Sequence, residues 1–268
     1  MNIKAIAELI IGAIVLTGCG GAANSAAQET SAPKAAETAA QTTASQTVSE
    51  EAAPKERDID PTKPVIALTF DDGPNTKVTP RVLDTLEKYD AVGTFFLIGN
   101  NINDESAEQA RRAYEMGCEI GSHSLTHSYM DKMTAEEIEA EITETNKRIK
   151  DAVGVEPVFF RPPYIAVSPT MYQTIDMPFI CGFGCNDWVA TTTKEERIDG
   201  VLNSAQDGAI ILLHDFDSNY PTAFALDTII PELQDQGYQL VTVSELFEAK
   251  GKDPHSAAYK NQVISLVK

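Results

Sequence analysis

Basic residues are scarce in this chain of 268 residues. It has 21 lysines and arginines against 40 aspartates and glutamates, for a formal net charge of −19. Nucleic acids and anionic lipid surfaces are bound through clustered positive charge. We therefore predict that the chain does not bind nucleic acid, and that it does not bind anionic lipid through a basic patch.

The chain also lacks an apolar run of the roughly 20 residues that span a bilayer. The apolar stretch Leu9–Leu16 is shorter and is typical of the hydrophobic region of a signal peptide. It ends in Leu16-Thr17-Gly18-Cys19, which resembles a bacterial lipobox, where the cysteine becomes the lipidated N-terminus. We predict a lipoprotein signal peptide over residues 1–19 and a lipid anchor at Cys19 that holds the protein on the cell membrane, facing the wall. The alternative is an ordinary cleaved signal in which Cys19 is incidental; either way the chain is exported.

Residues 20–57 contain no aromatic residue, and Val48 is their only branched aliphatic one. Such a segment cannot bury enough apolar surface to offset the entropy lost on ordering. We predict a disordered linker rich in alanine, threonine, serine and glutamate. A flexible coil of this length reaches on the order of 35 Å, enough to hold a domain away from a membrane.

Cysteine is limited to four residues, and Cys118, Cys181 and Cys185 follow Cys19. An odd number leaves at least one free thiol, and the pairing cannot be read from the sequence. The spacing of Cys181 and Cys185 permits zinc ligation, but buried apolar thiols are the favoured interpretation.

Strand-like apolar runs alternate with helical patterns over residues 58–250, which predicts a single α/β domain with a parallel sheet. A (β/α) barrel is favoured over a doubly wound sheet. Thr134 and Glu137 form the sequence signature of a capping box for a long helix. Thr79-Pro80 predicts another helix start, with Thr79 as the N-cap and Pro80 at the first helical position. The tail at 251–268 is polar apart from a weak apolar stretch at 263–267. The predicted strands cover residues 65–68, 93–98, 118–121, 158–160, 179–181, 209–213 and 239–243.

Polar residues follow these strands at the points where they end, which is where such folds assemble a site. Asp71 and Asp72 follow the first strand. Two adjacent carboxylates repel each other in a partly dry site, so one of them normally binds a cation and the other takes up or releases a proton. His123 and His127, with three residues between them, can reach one metal, with Asp72 as a third ligand. Each pattern taken alone is also compatible with an ordinary turn or a structural histidine.

Three further strand ends carry polar groups. Arg161 precedes two prolines and Tyr164, and its guanidinium can hold a carboxylate in a fork. The only tryptophan, Trp188, follows Asp187. His214 directly follows the apolar run at 209–213. It is either a catalytic residue or a structural histidine whose hydrogen bonds are satisfied within the fold.

Together these motifs resemble the NodB-homology polysaccharide deacetylases, carbohydrate esterase family 4. The match lies in the order Thr-Phe-Asp-Asp-Gly-Pro, His-Ser-x-x-His, Arg-Pro-Pro-Tyr, Asp-Trp and Leu-Leu-His between residues 64 and 247. The resemblance implies a distorted (β/α) barrel. It also implies one divalent metal ion and the removal of acetyl groups from N-acetylated, sometimes O-acetylated, sugars.

Carried over residue by residue, the resemblance assigns roles to the strand-end groups. Asp72, His123 and His127 would hold the metal, with zinc favoured and cobalt, nickel or manganese also suited to these ligands. Asp71 would be the general base, oriented by Arg161, and His214 the general acid that protonates the departing amine. The backbone N–H of Tyr164 would meet the oxyanion. The predicted substrate-binding residues are Pro163, Tyr164, Trp188 and Leu212, the last two as walls for the acetyl methyl group.

The sequence departs from the family pattern at two positions. The family commonly has Asp-x-x-Asp-Trp, in which the first aspartate supports the acid histidine; here Gly184 takes its place. That puts the support of His214 in doubt, unless Asp187 or Asp215 supplies the missing charge. Cys118 stands where many members have histidine.

Three functions follow as expectations. The leading one is a deacetylase, predicted to be a monomer, that acts on peptidoglycan or another amino-sugar polymer of the cell envelope. The second is a catalytically impaired member that binds glycan, which the loss at Gly184 favours. The third is a metal- or solute-binding lipoprotein, which leaves Arg161, Trp188 and His214 unexplained.

Overall fold

The computed structural model describes residues 57–268. The predicted signal peptide, the lipidation site Cys19 and the linker up to residue 56 lie outside this range. Arg57, assigned to the linker, instead contacts the folded domain: Nη1 lies 3.2 Å from Glu245 Oε2, and Nη2 donates to the Leu240 carbonyl at 2.9 Å. Among the helices of residues 57–268, none is long and apolar enough to cross a membrane.

A parallel sheet forms the centre of the domain, as the alternation of strands and helices predicted. Its first strand, β1, is buried along its whole length, which is why its sequence is a nearly continuous apolar run. The main sheet has the order β3-β2-β1-β6-β5, and β7 pairs with the start of β1. The strands are β1 Val65–Asp71, β2 Thr94–Leu97, β3 Glu119–Ser122, β4 Phe179–Ile180, β5 Phe183–Gly184, β6 Ala209–His214, β7 Gln239–Leu240 and β8 Val263–Ile264.

The sheet curves into an irregular barrel, and Phe160 carries part of the closure. Single bridges join Phe160 to Ser122 at the end of β3 and to Phe179 in β4. The predicted strand at 158–160 therefore contributes isolated pairs rather than a ladder. Pro157 and Pro162 flank this stretch and have no N–H to donate, which limits its pairing.

Seven helices surround the sheet in the described part of the chain. The capping box predicted at Thr134 is present, since its side chain accepts from the Glu137 N–H and the Glu137 carboxylate accepts from the Thr134 N–H. Thr79 is not the cap that we predicted: α1 begins at Val78, and the Asn75 side chain accepts from that N–H at 2.7 Å. The helices are α1 Val78–Lys88, α2 Ala107–Glu115, α3 Ala135–Val153, α4 Pro169–Thr174, α5 Lys194–Ser204, α6 Tyr220–Asp235 and α7 Val243–Ala249.

The segment predicted as a polar tail is part of the barrel wall. Strand β8 pairs with β4, and the Cys181 N–H donates to the Ile264 carbonyl at 2.8 Å. On the other side, the Ile210 N–H donates to the Ser265 carbonyl at 3.0 Å. Gly208 has φ +87, and a Cβ there would lie 2.0 Å from the Val267 carbonyl oxygen, so only glycine allows this approach. The segment thus fills the gap between β4 and β6.

All three cysteines in the described range are free. Cys118 and Cys185 are buried, and burial raises the pKa of both thiols to about 12. Cys118 precedes β3 and packs in the main apolar core, whereas His123 follows the opposite end of that strand. Cysteine at position 118 therefore leaves the metal-ligand residues untouched.

Candidate metal and catalytic site

The strand-end residues converge on one cleft of about 380 Å³ at the carboxyl ends of β1, β3 and β6. The parallel strands bring together groups that lie up to 143 positions apart in the sequence, from Asp71 to His214. The cleft is lined by Asp71, Asp72, His123, His127, Pro162, Tyr164, Ile165, Trp188, Leu212 and His214.

Asp72, His123 and His127 form a compact set of potential metal ligands. One ligand atom from each lies within 4.8 Å of the other two. Asp72 Oδ1 is 3.4 Å from His123 Nε2 and 3.3 Å from His127 Nε2. This is the set predicted to hold the metal.

A backbone carbonyl fixes the orientation of His123. Its Nδ1 lies 2.7 Å from the Arg161 carbonyl oxygen, which can only accept a hydrogen bond. Nδ1 therefore carries the proton, and the lone pair of Nε2 faces Asp72. A second hydrogen bond of this kind commonly orients a metal-binding imidazole.

The charges of these groups favour a cation. Burial lowers the pKa of His127, and the neighbouring His123 lowers it further, so the imidazole is held neutral. Burial alone would raise the pKa of Asp72, but the neighbouring imidazoles of His123 and His127 bring it below its usual value. Asp72 Oδ1 is buried and has no hydrogen-bond partner among the described residues. A divalent ion would satisfy that oxygen, so the set fits the implied metal.

The backbone at two of these ligands is in the left-handed region. Asp72 has φ 76 and His127 has φ 57, which is uncommon outside glycine and is characteristic of functional sites. Side chains hold both turns: Asn101 Nδ2 donates to the Asp72 carbonyl at 2.7 Å, and Ser124 Oγ accepts from the His127 N–H at 3.0 Å. Sequence analysis did not select Asn101, because its contact becomes visible only in three dimensions.

Asp71 is held by a fully buried arginine. Arg161 Nη1 donates to Asp71 Oδ1 at 2.5 Å and to Thr69 Oγ1 at 2.8 Å. Its Nε and Nη2 donate to the carbonyls of Ile180 and Cys181. The guanidinium also lies over the Phe96 ring at 4.1 Å. Arg161 thus binds this carboxylate through one nitrogen and one oxygen rather than in the predicted fork, and the other oxygen, Asp71 Oδ2, lies 3.8 Å from His123 Nε2 at the cleft.

His214 is paired with Asp187. The two Asp187 oxygens accept from His214 Nδ1 and from the His214 backbone N–H, each at 2.8 Å. Asn219 Nδ2 at 3.3 Å and Thr222 Oγ1 at 3.0 Å also donate to Asp187 Oδ2. Burial alone would lower the pKa of His214, but the hydrogen bond and charge of Asp187, with the charges of Asp71 and Asp72, raise it to about 9.

These contacts decide between the three positions considered for the support of His214. Gly184 is exposed, and a Cβ built on it would meet the Trp188 ring at 3.5 Å. The Asp215 side chain accepts from Thr79 Oγ1 instead. The first aspartate of the family pattern is therefore not the supporting group in this chain, and Asp187, beside the tryptophan, is.

Three of the four predicted substrate residues line the cleft. Trp188 is 50% exposed, with its ring centroid 5.5 Å from that of His214, and Leu212 is buried. Tyr164, with φ 57, is 54% exposed and also lines the cleft. Pro163 is buried and does not line the cleft, whereas its neighbour Pro162 does.

The chain is similar to known polysaccharide deacetylases. Residues 58–177 match the polysaccharide deacetylase family. The chain is 54% identical, over 71% of its length, to a bifunctional xylanase/deacetylase of Pseudobutyrivibrio xylanivorans, of which it spans only 32%. It also matches peptidoglycan deacetylases from Bacillus subtilis and Listeria monocytogenes, and it spans 42% and 39% of their respective lengths.

Two other relatives are covered more fully. A peptidoglycan-N-acetylglucosamine deacetylase of Bacillus cereus is 36% identical over 69% of this chain and 89% of its own length. The structure of a family 4 acetyl xylan esterase from Clostridium thermocellum, in complex with a cobalt ion, has a TM-score of 0.72 and 44% identity and covers 75% of this chain and 98% of that one. The chain therefore belongs to the polysaccharide deacetylase family, carbohydrate esterase family 4, as its motifs predicted.

Proposed function

We propose that this chain is a metal-dependent hydrolase that removes N-acetyl groups from amino-sugar polymers of the cell envelope. The observation that carries the proposal is the arrangement of one cleft: an unpartnered carboxylate between two imidazoles, a carboxylate fixed by a buried arginine, and a histidine paired with a carboxylate. Metal-assisted amide hydrolysis uses a cation, a base and an acid at one site, and these three units can supply one each.

The metal would be held by Asp72, His123 and His127. When bound, such an ion lowers the pKa of a water molecule and polarises a carbonyl group. Two imidazoles and one carboxylate suit zinc, which we favour, and also cobalt, nickel and manganese. The Arg161 carbonyl, through His123 Nδ1, keeps one imidazole lone pair aimed at the site.

Asp71 acts as the general base in this proposal. Arg161 binds one carboxylate oxygen and thereby fixes the other toward the cleft, where it can take a proton from the attacking water. Because both side chains are buried and Arg161 donates to two further carbonyls, the orientation of the base is set before substrate binds.

His214 acts as the general acid. An amine leaves an amide only when it is protonated, so the acid must carry its proton at the working pH. With a pKa of about 9, His214 is charged at neutral pH. The Tyr164 N–H is proposed to meet the oxyanion, with Trp188 and Leu212 enclosing the acetyl methyl group.

Removal of O-acetyl groups from xylan is the second candidate. The 54% identity to a bifunctional xylanase/deacetylase and the similarity to an acetyl xylan esterase favour it. An alkoxide departs more readily than an amine anion, so a charged His214 is needed less for an ester than for an amide. The catalytically impaired alternative loses its basis, because Asp187 contacts His214 despite Gly184.

Acetate release tests these alternatives. The protein would be incubated with N-acetylglucosamine oligomers, with peptidoglycan and with acetylated xylan, each with and without a chelator. Chelator-sensitive release from the amino sugars supports the proposal, and release from xylan alone supports the second candidate. Release from none of the three would contradict both.

We propose further that Cys19 carries a lipid anchor, on the basis of the sequence Leu16-Thr17-Gly18-Cys19. Replacing Cys19 by alanine should move the protein out of the membrane fraction or leave it unprocessed, which fractionation and N-terminal mass determination would detect. A wild-type protein that is fully soluble in the medium, with its N-terminus elsewhere, would contradict the anchor.

A further inference from the structure

Two exposed tyrosines extend the wall of the cleft outward. The rings of Tyr129 and Tyr164 are stacked, with centroids 4.1 Å apart and planes at 16°. Tyr164 lines the cleft and lies 4.6 Å from the His127 ring. Tyr129 is 50% exposed and Tyr164 54%. An aromatic surface therefore runs from a candidate metal ligand out to solvent.

The backbone holds Tyr129 in a fixed position. Tyr129 directly precedes a short 3-10 turn, Met130–Lys132, whose first residue, Met130, is fully buried. Met130 packs in an apolar cluster with Ile138 and Phe160, and the capping box at Thr134 follows two residues after the turn. Such a ring loses little conformational freedom when a ligand stacks on it.

We propose that Tyr129, backed by Tyr164, is a subsite for the sugar ring next to the acetylated unit. This inference rests on the proposed function. A pyranose ring presents a face of C–H groups that packs on an aromatic ring, while its hydroxyl groups stay in water. Tyr129 is one ring beyond the wall of the cleft, which places it beside the neighbouring unit of a chain rather than beside the reacting acetyl group. The occupant is a neutral pyranose of the same polymer.

Lys132 contacts the same tyrosine. Its Nζ lies 4.8 Å from the Tyr129 ring centroid, and the side chain is exposed. Cation–π contacts at exposed sites are weak, so a sugar ring can displace the ammonium. Lys132→Ala is therefore expected to leave the KM for an oligomer within about twofold of wild type. This change is smaller than the change in KM expected when one aromatic contact is lost.

Chain-length dependence tests the subsite. Tyr129→Ala should raise the KM for an N-acetylglucosamine hexamer roughly three- to tenfold, the scale of one lost aromatic contact. Its kcat, and its kcat/KM for the small ester p-nitrophenyl acetate, should stay at wild-type values. Tyr129→Phe keeps the ring and should retain the wild-type KM. Phe224→Ala is the matched control, because Phe224 is 46% exposed and stacked on Tyr220 but does not line the cleft.

Two further measurements separate the alternatives. Isothermal titration with the hexamer, in an Asp71→Asn background that lacks the general base, gives Kd without turnover, so the subsite is tested even if the proposed activity fails; Tyr129→Ala should weaken Kd by the same factor. Competition with a chelator gives the affinity for zinc. Unchanged KM and Kd would overturn the subsite. A weaker affinity for zinc, or an equal loss on the small ester, would also overturn it and assign Tyr129 to the positioning of His127.

Discussion

Two groupings of aspartate and histidine face the same cleft and are built in opposite ways. In one, Asp187 accepts hydrogen bonds from His214, Asn219 and Thr222. In the other, Asp72 Oδ1 has two imidazoles within 3.4 Å but no hydrogen-bond donor among residues 57–268. The residue types are the same, and the difference lies in which atoms carry protons.

That difference sets the charge of each histidine. Asp187 accepts from His214 Nδ1, and this pairing raises the pKa of the imidazole to about 9, so His214 keeps its proton at neutral pH. In the other grouping His123 Nδ1 donates its hydrogen bond to the Arg161 carbonyl, and burial lowers the pKa of His127. The unprotonated Nε2 atoms of His123 and His127 and the unpartnered Asp72 Oδ1 then lie close together, and a cation can bind between them.

The largest effect is expected from breaking the cation site. Asp72→Ala removes a ligand and should weaken zinc binding by about 100-fold or more and activity by about 1,000-fold. Asp71→Asn keeps the shape of its side chain and should retain the metal, but lower kcat by about 100-fold or more, because the general base is lost. Metal content and kcat would be measured on both variants. Equal metal loss in the two would show that these roles are assigned wrongly.

The second effect concerns the proton on His214. Asp187→Asn removes the charge that raises the pKa of His214, so the alkaline limb of kcat/KM should move from about pH 9 toward 6.5. At pH 8 the protonated fraction, and with it kcat/KM, should fall roughly 30-fold, whereas the loss at pH 5.5 should be small. A pH profile of both proteins checks this. Asp215→Asn is the control, because its carboxyl contacts Thr79 and not His214. An unmoved limb in Asp187→Asn would remove the basis for this account of the acid.

The same pair should affect stability. His214 has a raised pKa in the folded state, so the stabilisation it contributes is complete below about pH 6.5 and is lost as the pH rises through about 9. Between these limits the Tm of the wild type should fall by roughly 5 °C more than that of Asp187→Asn. Calorimetry of both metal-free proteins at pH 6 and pH 9.5 would measure the difference. Parallel curves would contradict it.

The smallest effect is expected from restoring the family pattern. Gly184→Asp should change kcat/KM by less than about twofold at any pH, because Asp187 already occupies His214 Nδ1. The new side chain would contact the Trp188 ring instead, at ordinary van der Waals distance. A shift of the alkaline limb by a full pH unit would show that two carboxylates can share the histidine.

Much of the fold follows from local patterns. The apolar run of β1, the capping box at Thr134 and the alternation of strands and helices were sufficient to predict a parallel α/β barrel, and the structure has that architecture. The chain reaches its cleft residues at successive strand ends, and parallel strands place such ends together. The convergence of Asp71, Asp72, His123, His127 and His214 is therefore a consequence of topology that a sequence can reveal.

What the sequence did not reveal depends on distant partners. The choice between Gly184, Asp187 and Asp215 as the neighbour of His214 rests on the pairing of β5 with β6 and on side-chain direction. Strand β8 is only two residues long, and its partners lie more than 50 residues away, so no local pattern distinguishes it from a polar tail. Arg57 likewise shows no local sign that it contacts α7.

Strand β8 has a consequence for how the protein is made. A ribosome delivers residues in order, and the wall between β4 and β6 is completed by residues 263–267, long after both strands have been synthesised. Until then the N–H groups of Cys181 and Ile210 lack their native acceptors on Ile264 and Ser265. Cys181 also provides a carbonyl to Arg161, which orients Asp71. A nascent chain halted near residue 250 therefore has its catalytic residues but lacks the strand that fills the gap between β4 and β6.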